Sequence, residues 1–122
     1  MQEGRRLSAK DGLARFVSYG IQFVVVEVRQ TAEFSDWIAE LRDQRAKGKI
    51  IARIDRLALG NPGDVASVGE GVSELRVHYG PGYRVYFVQR GRALIVLLCG
   101  GDKSTQEQDI KKAKKLAAGL ED

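Results

Sequence analysis

The stretch Gly71–Gly101 reads GVSELRVHYGPGYRVYFVQRGRALIVLLCGG and contains three apolar runs. Two glycine turns, Gly80–Gly82 and Arg90–Arg92, separate these runs from one another. Runs that are rich in Val, Leu, Tyr and Phe and bounded by Gly and Pro are typical of strands joined by hairpins. The stretch therefore predicts three consecutive antiparallel strands.

The first hairpin predicts a sheet with one apolar face and one charged face. A three-residue loop at Gly80–Gly82 would set Val77 opposite Val85 and Arg76 opposite Tyr86. Because side chains alternate across a strand, one face is then apolar and the other polar. The polar face carries five side chains, namely Glu74, Arg76, His78, Arg84 and Tyr86.

The third run, Leu94–Cys99, is apolar at every position. Continuous apolarity over about six residues is typical of a strand that is covered on both faces. We therefore expect this strand to lie inside the sheet.

A strand and a helix are predicted before this stretch. Ile21–Gln30 is rich in β-branched residues, and Thr31 after it can cap a helix with its side-chain oxygen. Apolar residues then recur at helical spacing. They are Phe34, Trp37, Ile38 and Leu41, and we expect Trp37 to belong to the core.

Two more helices are predicted. One follows a break near Lys47-Gly48, has Ile50, Ile51, Ile54, Leu57 and Ala58 on one side and ends at Gly60. The other follows Ser104 or Thr105 and has a modest stripe of Ile110, Ala113, Leu116 and Ala117. The sequence Ser8–Asp11 also predicts a cap for a short helix over residues 13–17, whereas Pro62–Gly71 is expected to be a polar connection.

The predicted order is strand, helix, helix, three strands and helix. This order indicates an α+β fold, in which a small antiparallel sheet has its helices packed on one face. Residues 21–122 are expected to form a single domain, and residues 1–20 a leader of uncertain order.

Composition limits the classes of function. The 122 residues carry a formal net charge of +4, which favours an anionic partner. No apolar run reaches the roughly twenty residues that span a bilayer, and the N-terminus lacks the apolar region of a secretory signal. One His and one Cys, Cys99, cannot build a usual zinc site. We expect a cytoplasmic protein without membrane contact, metal or cofactor.

The polar face of the hairpin carries groups suited to RNA cleavage. Arg76 and Arg84 can bind phosphate, with Lys103 approaching from the turn after the third strand. Glu74 and His78 can exchange protons. Tyr86 can stack on an exposed base. The simpler alternative is a set of cross-strand ion pairs on a solvated face.

The second predicted helix has a basic face. Its cations include Lys47, Lys49 and Arg53, and they outnumber the acidic residues. Such a face can bind RNA, although a merely solvated helix face would have the same composition.

Several motifs resemble the RelE/ParE superfamily of toxins, most closely the HigB-like "addiction module killer protein" branch. The segments that carry the resemblance are Glu-Leu-Arg at 74–76, Gly-Pro-Gly-Tyr-Arg-Val-Tyr-Phe at 80–87 and Gly-Gly-Asp-Lys-Ser at 100–104. The similarity extends from about Val25 to Leu116.

This resemblance implies a RelE-like fold and the toxin of a type II toxin-antitoxin module. Many such toxins cleave messenger RNA on the ribosome without a metal ion, and an adjacent gene encodes the antitoxin, here expected to be a helix-turn-helix protein. Arg84 matches the family arginine at the scissile phosphate, and Arg76 and Lys103 match basic positions. Glu74, His78 and Asp109 are less direct matches, because the family varies in its acid and base.

Two other classes of function remain open. The ParE branch shares the fold and inhibits DNA gyrase, although an intact cluster of Arg76, Arg84 and Lys103 argues mildly against it. A non-catalytic nucleic-acid-binding module is the third possibility.

Overall fold

A six-stranded sheet organises the chain in a computed structural model. The structure describes the backbone of residues 12–19 and 22–120 and the side chains from Val26 to Leu120. The elements are β1 (Gly12–Tyr19), β2 (Gln22–Gln30), α1 (Ala32–Glu40), α2 (Gln44–Ala58), β3 (Val65–Gly69), β4 (Val72–Val77), β5 (Tyr83–Arg90), β6 (Leu94–Asp102) and α3 (Gln106–Ala118). A single 3-10 turn, Lys103–Thr105, joins β6 to α3.

The strand order in the sheet is β1-β2-β6-β5-β4-β3. The α+β class is confirmed, and β6 lies inside the sheet as its continuous apolarity predicted. The sheet is not wholly antiparallel, because β2 and β6 run parallel to each other. Parallel neighbours require a long crossover connection, and here α1, α2 and the hairpins of β3 to β5 all lie between the two strands.

Two strands were missing from the prediction. The helix expected at residues 13–17 is wrong, since this segment belongs to β1, which pairs antiparallel with β2. The pairing joins part of the expected leader to the sheet, while residues 1–11 lie outside the described part of the chain. Strand β3 lies in the expected polar connection. Its turn into β4 uses positive φ angles at Glu70 and Gly71, as tight hairpins require.

The β4–β5 hairpin is shifted by two residues from the expected register. Arg76 lies opposite Arg84 rather than Tyr86, and Glu74 is the residue opposite Tyr86. The loop is longer than three residues, because β4 ends at Val77 and the turn closes with a hydrogen bond from the Gly82 amide to Tyr79. A shift of two positions leaves every side chain on its predicted face.

The sheet has a hydrophobic core on each face. One core includes α1 and α2 residues with Leu75, Val85 and Leu97. The other packs α3 against alternate residues of β5 and β6, such as Val88 and Leu98. The expectation that all helices share one face is therefore wrong. The central strands are apolar on both sides, so both sides need a cover.

The boundary between α1 and α2 also differs from the prediction. Asp43 caps α2 by accepting hydrogen bonds from the amides of Arg45 and Ala46, so the helix runs through Gly48 without a break. Ile51, expected in the buried stripe, is 44% exposed. Trp37 packs against the first core as expected. No helix in residues 22–120 has the length and apolarity to cross a membrane.

Gly100 and Gly48 provide a paired test of packing. A Cβ at Gly100 would overlap the ring of Trp37, whereas a Cβ at Gly48 would have no heavy atom within 4 Å. We expect Gly100→Ala to destabilise the fold by about 1–3 kcal/mol. Gly48→Ala in the helix should stabilise it by about 0.5–1 kcal/mol. Urea denaturation followed by fluorescence of the single Trp37 measures both changes. Equal effects of the two substitutions would contradict this packing.

Candidate active site

An open pocket lies where β4 and β5 meet the turn before α3. It has a volume of about 440 Å³. Its lining residues are Arg76, His78, Tyr79, Gly80, Pro81, Gly82, Arg84 and Lys103. The structure thus brings together four of the predicted site residues, including all three cations that were expected to meet at one phosphate.

The sheet register and one glycine position these cations. Arg76 and Arg84 lie directly opposite each other on neighbouring strands. Lys103 follows the end of β6, and its side chain passes over Gly82, where a Cβ would lie 2.6 Å from Cδ of the lysine. Gly82 also has a φ angle of 82°. The positive φ angle favours glycine at this position, and a Cβ there would displace the Lys103 side chain.

Glu74 does not line the pocket but lies buried behind its arginines. Its side chain is fully buried, and one carboxylate oxygen accepts a hydrogen bond from Arg76 Nε at 3.0 Å. The other oxygen accepts from Tyr86 Oη at 3.0 Å and from Gln106 Nε2 at 2.7 Å. Burial raises the pKa of Glu74, but the hydrogen bonds from Gln106, Arg76 and Tyr86 outweigh burial and hold it below its usual range. Glu74 is therefore an ionised structural carboxylate, which does not fit the predicted role in proton exchange.

Arg84 forms the floor of the pocket. Its side chain is 10% exposed, compared with 37% for Arg76. Arg84 Nε is 3.6 Å from Glu74 and makes no hydrogen bond. A guanidinium that is largely removed from water and incompletely compensated by its carboxylate is well suited to bind an anion.

Tyr86 does not have the exposure that its predicted role requires. The residue is 0% exposed and donates its hydroxyl to Glu74. Burial and this carboxylate raise the pKa of Tyr86 far above its usual value. The ring offers no face to an RNA base, so the base-stacking prediction does not fit the structure.

Asp109 also lies away from the pocket lining. It is buried on α3 beside Gly101 and accepts a hydrogen bond from Thr105 Oγ1 at 2.5 Å. The α3 residue that reaches the site is Gln106, through its bond to Glu74. A glutamine at a helix start carries no sequence signal for such a contact.

Asp64 is a second residue at the site that the sequence did not reveal. Its Oδ2 atom lies 2.6 Å from Nε2 of His78, and its Oδ1 atom lies 3.8 Å from Nη1 of Arg76. The hydrogen bond with His78, followed by the charge of Arg76, lowers the pKa of Asp64 although partial burial opposes this. Asp64 is 14 positions away from His78 in the sequence. It reaches the site because its carbonyl oxygen accepts a hydrogen bond from the Arg76 amide of β4.

The three residues of α2 that were predicted to bind RNA differ in their surroundings. Arg53 donates hydrogen bonds to the carbonyl oxygens of Arg76 and Pro62, the second at 2.7 Å. Burial and the charge of Arg56 lower the pKa of Arg53. Arg53 therefore has a structural role, which does not fit its predicted RNA contact. Lys49 is exposed, and its Nζ lies 5.3 Å from the ring centre of Tyr79 at the pocket. Lys47 is half-buried.

Cys99 is buried, as expected of a structural thiol. Burial and then the nearby charge of Asp109 raise the pKa of its thiol to about 12. In the described part of the chain, no three His, Cys, Asp or Glu side chains cluster as a metal site would require.

Comparisons with known proteins identify the family. Residues 36–118 match the family described as "Phage derived protein Gp49-like (DUF891)". The chain belongs to the Gp49-like family. An uncharacterized protein of Haemophilus influenzae is 50% identical over 97 residues, which are 80% of this chain and 98% of the relative. No solved structure matches. The Gp49-like region contains every residue that lines the pocket and begins within α1.

Glu74→Gln tests the anchoring carboxylate. The variant removes the charge that compensates buried Arg84, so we expect a loss of about 3–5 kcal/mol in the free energy of unfolding at neutral pH. The folded-state pKa of Glu74 lies below its usual value of 4.5, so its contribution is complete above that pH and is lost as the pH falls through the folded-state pKa.

Denaturant titrations of both proteins between neutral pH and acid measure this difference. The difference in the free energy of unfolding between wild type and Glu74→Gln should become smaller below about pH 4.5. Glu107→Gln, an exposed carboxylate in the first turn of α3, is the control and should show little change. A difference that stays constant with pH would contradict an ionised Glu74.

Proposed function

We propose that this protein is the toxin of a type II toxin-antitoxin module and a metal-independent endoribonuclease that cleaves messenger RNA on the ribosome. One observation carries the proposal: Arg76, Arg84 and Lys103 line the same pocket together with the imidazole of His78. Three cations beside an imidazole, which can accept or donate a proton, are suited to cleaving a phosphodiester without a metal ion.

The reaction is an attack by a ribose 2′-hydroxyl on the adjacent phosphorus. The bond to the 5′-oxygen breaks as the new bond forms, so the products are a 2′,3′-cyclic phosphate and a 5′-hydroxyl. Negative charge grows on the phosphate oxygens in the transition state. Arg84 at the pocket floor, with Arg76 and Lys103, would stabilise this charge more strongly than the charge of the bound substrate.

The resemblance to RelE and HigB-like toxins supports the same proposal. Its motif segments coincide with the pocket: Glu-Leu-Arg is in β4, Gly-Tyr-Arg begins β5 and the Lys103 motif ends β6. Membership of the Gp49-like family is compatible with this class of toxin. The partners would be messenger RNA, the ribosome and an antitoxin, which we expect to be an adjacent helix-turn-helix protein, and the place of action the cytoplasm.

Arg84→Ala provides the direct test. We expect cleavage of ribosome-bound messenger RNA to fall roughly 100- to 1,000-fold, as when a buried donor to a transition-state anion is removed. Primer extension locates the cuts, and analysis of the RNA ends identifies the cyclic phosphate. Arg92→Ala, in the exposed turn between β5 and β6, should cleave like wild type.

Cleavage that survives Arg84→Ala would overturn the ribonuclease proposal. Gyrase-dependent DNA breaks without RNA cleavage would establish the ParE alternative. RNA binding without cleavage by the wild type would indicate a non-catalytic module.

The exposed end of the basic face provides a second test. Because Lys49 is next to the pocket through Tyr79, Lys49→Glu should weaken RNA affinity. It should also make the plot of log affinity against log salt concentration less steep, by the amount that roughly one phosphate contact contributes to the slope. Filter binding across a salt titration measures both quantities. Lys115→Glu, exposed on α3, makes the same charge change elsewhere, and an equal effect of the two variants would refute a specific contact by Lys49.

A further inference from the structure

The single histidine of the chain has a carboxylate partner at the pocket. His78 lines the pocket, and its Nε2 atom lies 2.6 Å from Asp64 Oδ2. We propose that Asp64 is a positioning residue that holds the His78 imidazole for proton transfer to or from the RNA. This inference rests on the proposed ribonuclease function and names a residue that neither the motifs nor the resemblance indicates.

The His78 side chain needs such a partner. It is 71% exposed and follows the last residue of β4, so the sheet and the core do not fix its ring. An ionised carboxylate only accepts hydrogen bonds, so Nε2 must carry the proton that it shares with Asp64. Nδ1 is then free to accept a proton, as a general base requires.

Asp64 is itself firmly held. Its carbonyl oxygen accepts a hydrogen bond from the Arg76 amide at 3.0 Å. Arg53 ties the preceding segment to β4 by donating to the carbonyls of Pro62 and Arg76. Gly63 has a φ angle of 69°, and a Cβ there would lie 2.8 Å from the Arg53 guanidinium. This packing places the Asp64 carboxylate between Arg76 and His78.

Three other proton-exchanging side chains near the pocket are already engaged in buried contacts. Glu74 is buried with hydrogen bonds on both oxygens, and Asp109 is buried beside Gly101. The hydroxyl of Tyr86 is buried against Glu74. The ionisable groups that share the pocket with His78 are Arg76, Arg84, Lys103 and Tyr79, and Asp64 is the carboxylate that contacts its ring.

His78 takes one proton in the proposed step. Nδ1 of His78 accepts it from the ribose 2′-hydroxyl as the oxygen–phosphorus bond forms. The bond from phosphorus to the 5′-oxygen breaks, and that oxygen takes a proton from a water molecule, whose hydroxide ion takes the proton back from the imidazolium at the end of the cycle. The resulting imidazolium is stabilised by the ionised carboxylate of Asp64, as an aspartate stabilises the histidine of a catalytic triad.

Asp64→Asn tests the role. Single-turnover cleavage of ribosome-bound messenger RNA should slow roughly 10- to 100-fold, a part of the 10²–10⁴-fold that a general base contributes. The dissociation constant for a 2′-deoxy analogue, which cannot be cleaved, should change less than threefold. Asp64→Glu should recover part of the rate. Asp36→Asn, an exposed aspartate on α1, removes the same charge and should cleave like wild type.

A double-mutant cycle separates positioning from a structural effect. If Asp64 acts through the imidazole, Asp64→Asn should slow cleavage no further when His78→Gln is already present. Additive losses would overturn the proposal, as would wild-type cleavage by Asp64→Asn or a loss confined to analogue binding. In each of these outcomes the wild-type protein still cleaves RNA. If the wild type itself does not cleave, the proposed function is wrong, and the proposed role of Asp64 is wrong as well.

Discussion

The buried carboxylate of Glu74 is the interaction on which the site depends. Arg76 and Arg84 lie directly opposite each other, an arrangement that would repel without an anion between them. Glu74 contacts both arginines and is stabilised in turn by Tyr86 and Gln106. A buried carboxylate is costly unless hydrogen bonds compensate for its desolvation. Arg76, Tyr86 and Gln106 donate those hydrogen bonds, and Arg84 adds its positive charge at 3.6 Å.

The hydrogen bond from Gln106 links the carboxylate of Glu74 to α3. Helix α3 covers the second core through Leu116 and two alanines, Ala113 and Ala117, which bury little apolar surface each. Its first residue nevertheless completes the hydrogen bonding of Glu74. Movement of α3 would therefore leave Glu74 short of a donor and disturb Arg76 and Arg84 together.

The two hydrophobic cores explain why the site lies at one end of the sheet. Strands β5 and β6 are covered on both faces over most of their length. Polar groups collect where this cover ends, at the loop after β4 and the turn after β6. Lys103 enters there over Gly82, and Asp64 arrives from the start of the β3 hairpin. The pocket is thus formed by the ends of strands in the sheet together with the loops next to those ends.

Local patterns in the sequence determined the strands β4 to β6, the cap at Thr31, the helix end at Gly60 and the shared face of Arg76 and Arg84. These features depend on alternation, capping and glycine conformation, which act over a few residues. Only the tertiary structure decided the exact register, since a two-residue shift preserves every face. It also decided which polar groups are buried, because α3 covers Glu74 from a distant part of the chain. The pairing of Asp64 with His78 was decided in the same way: their contact exists because one hairpin brings two separated segments side by side.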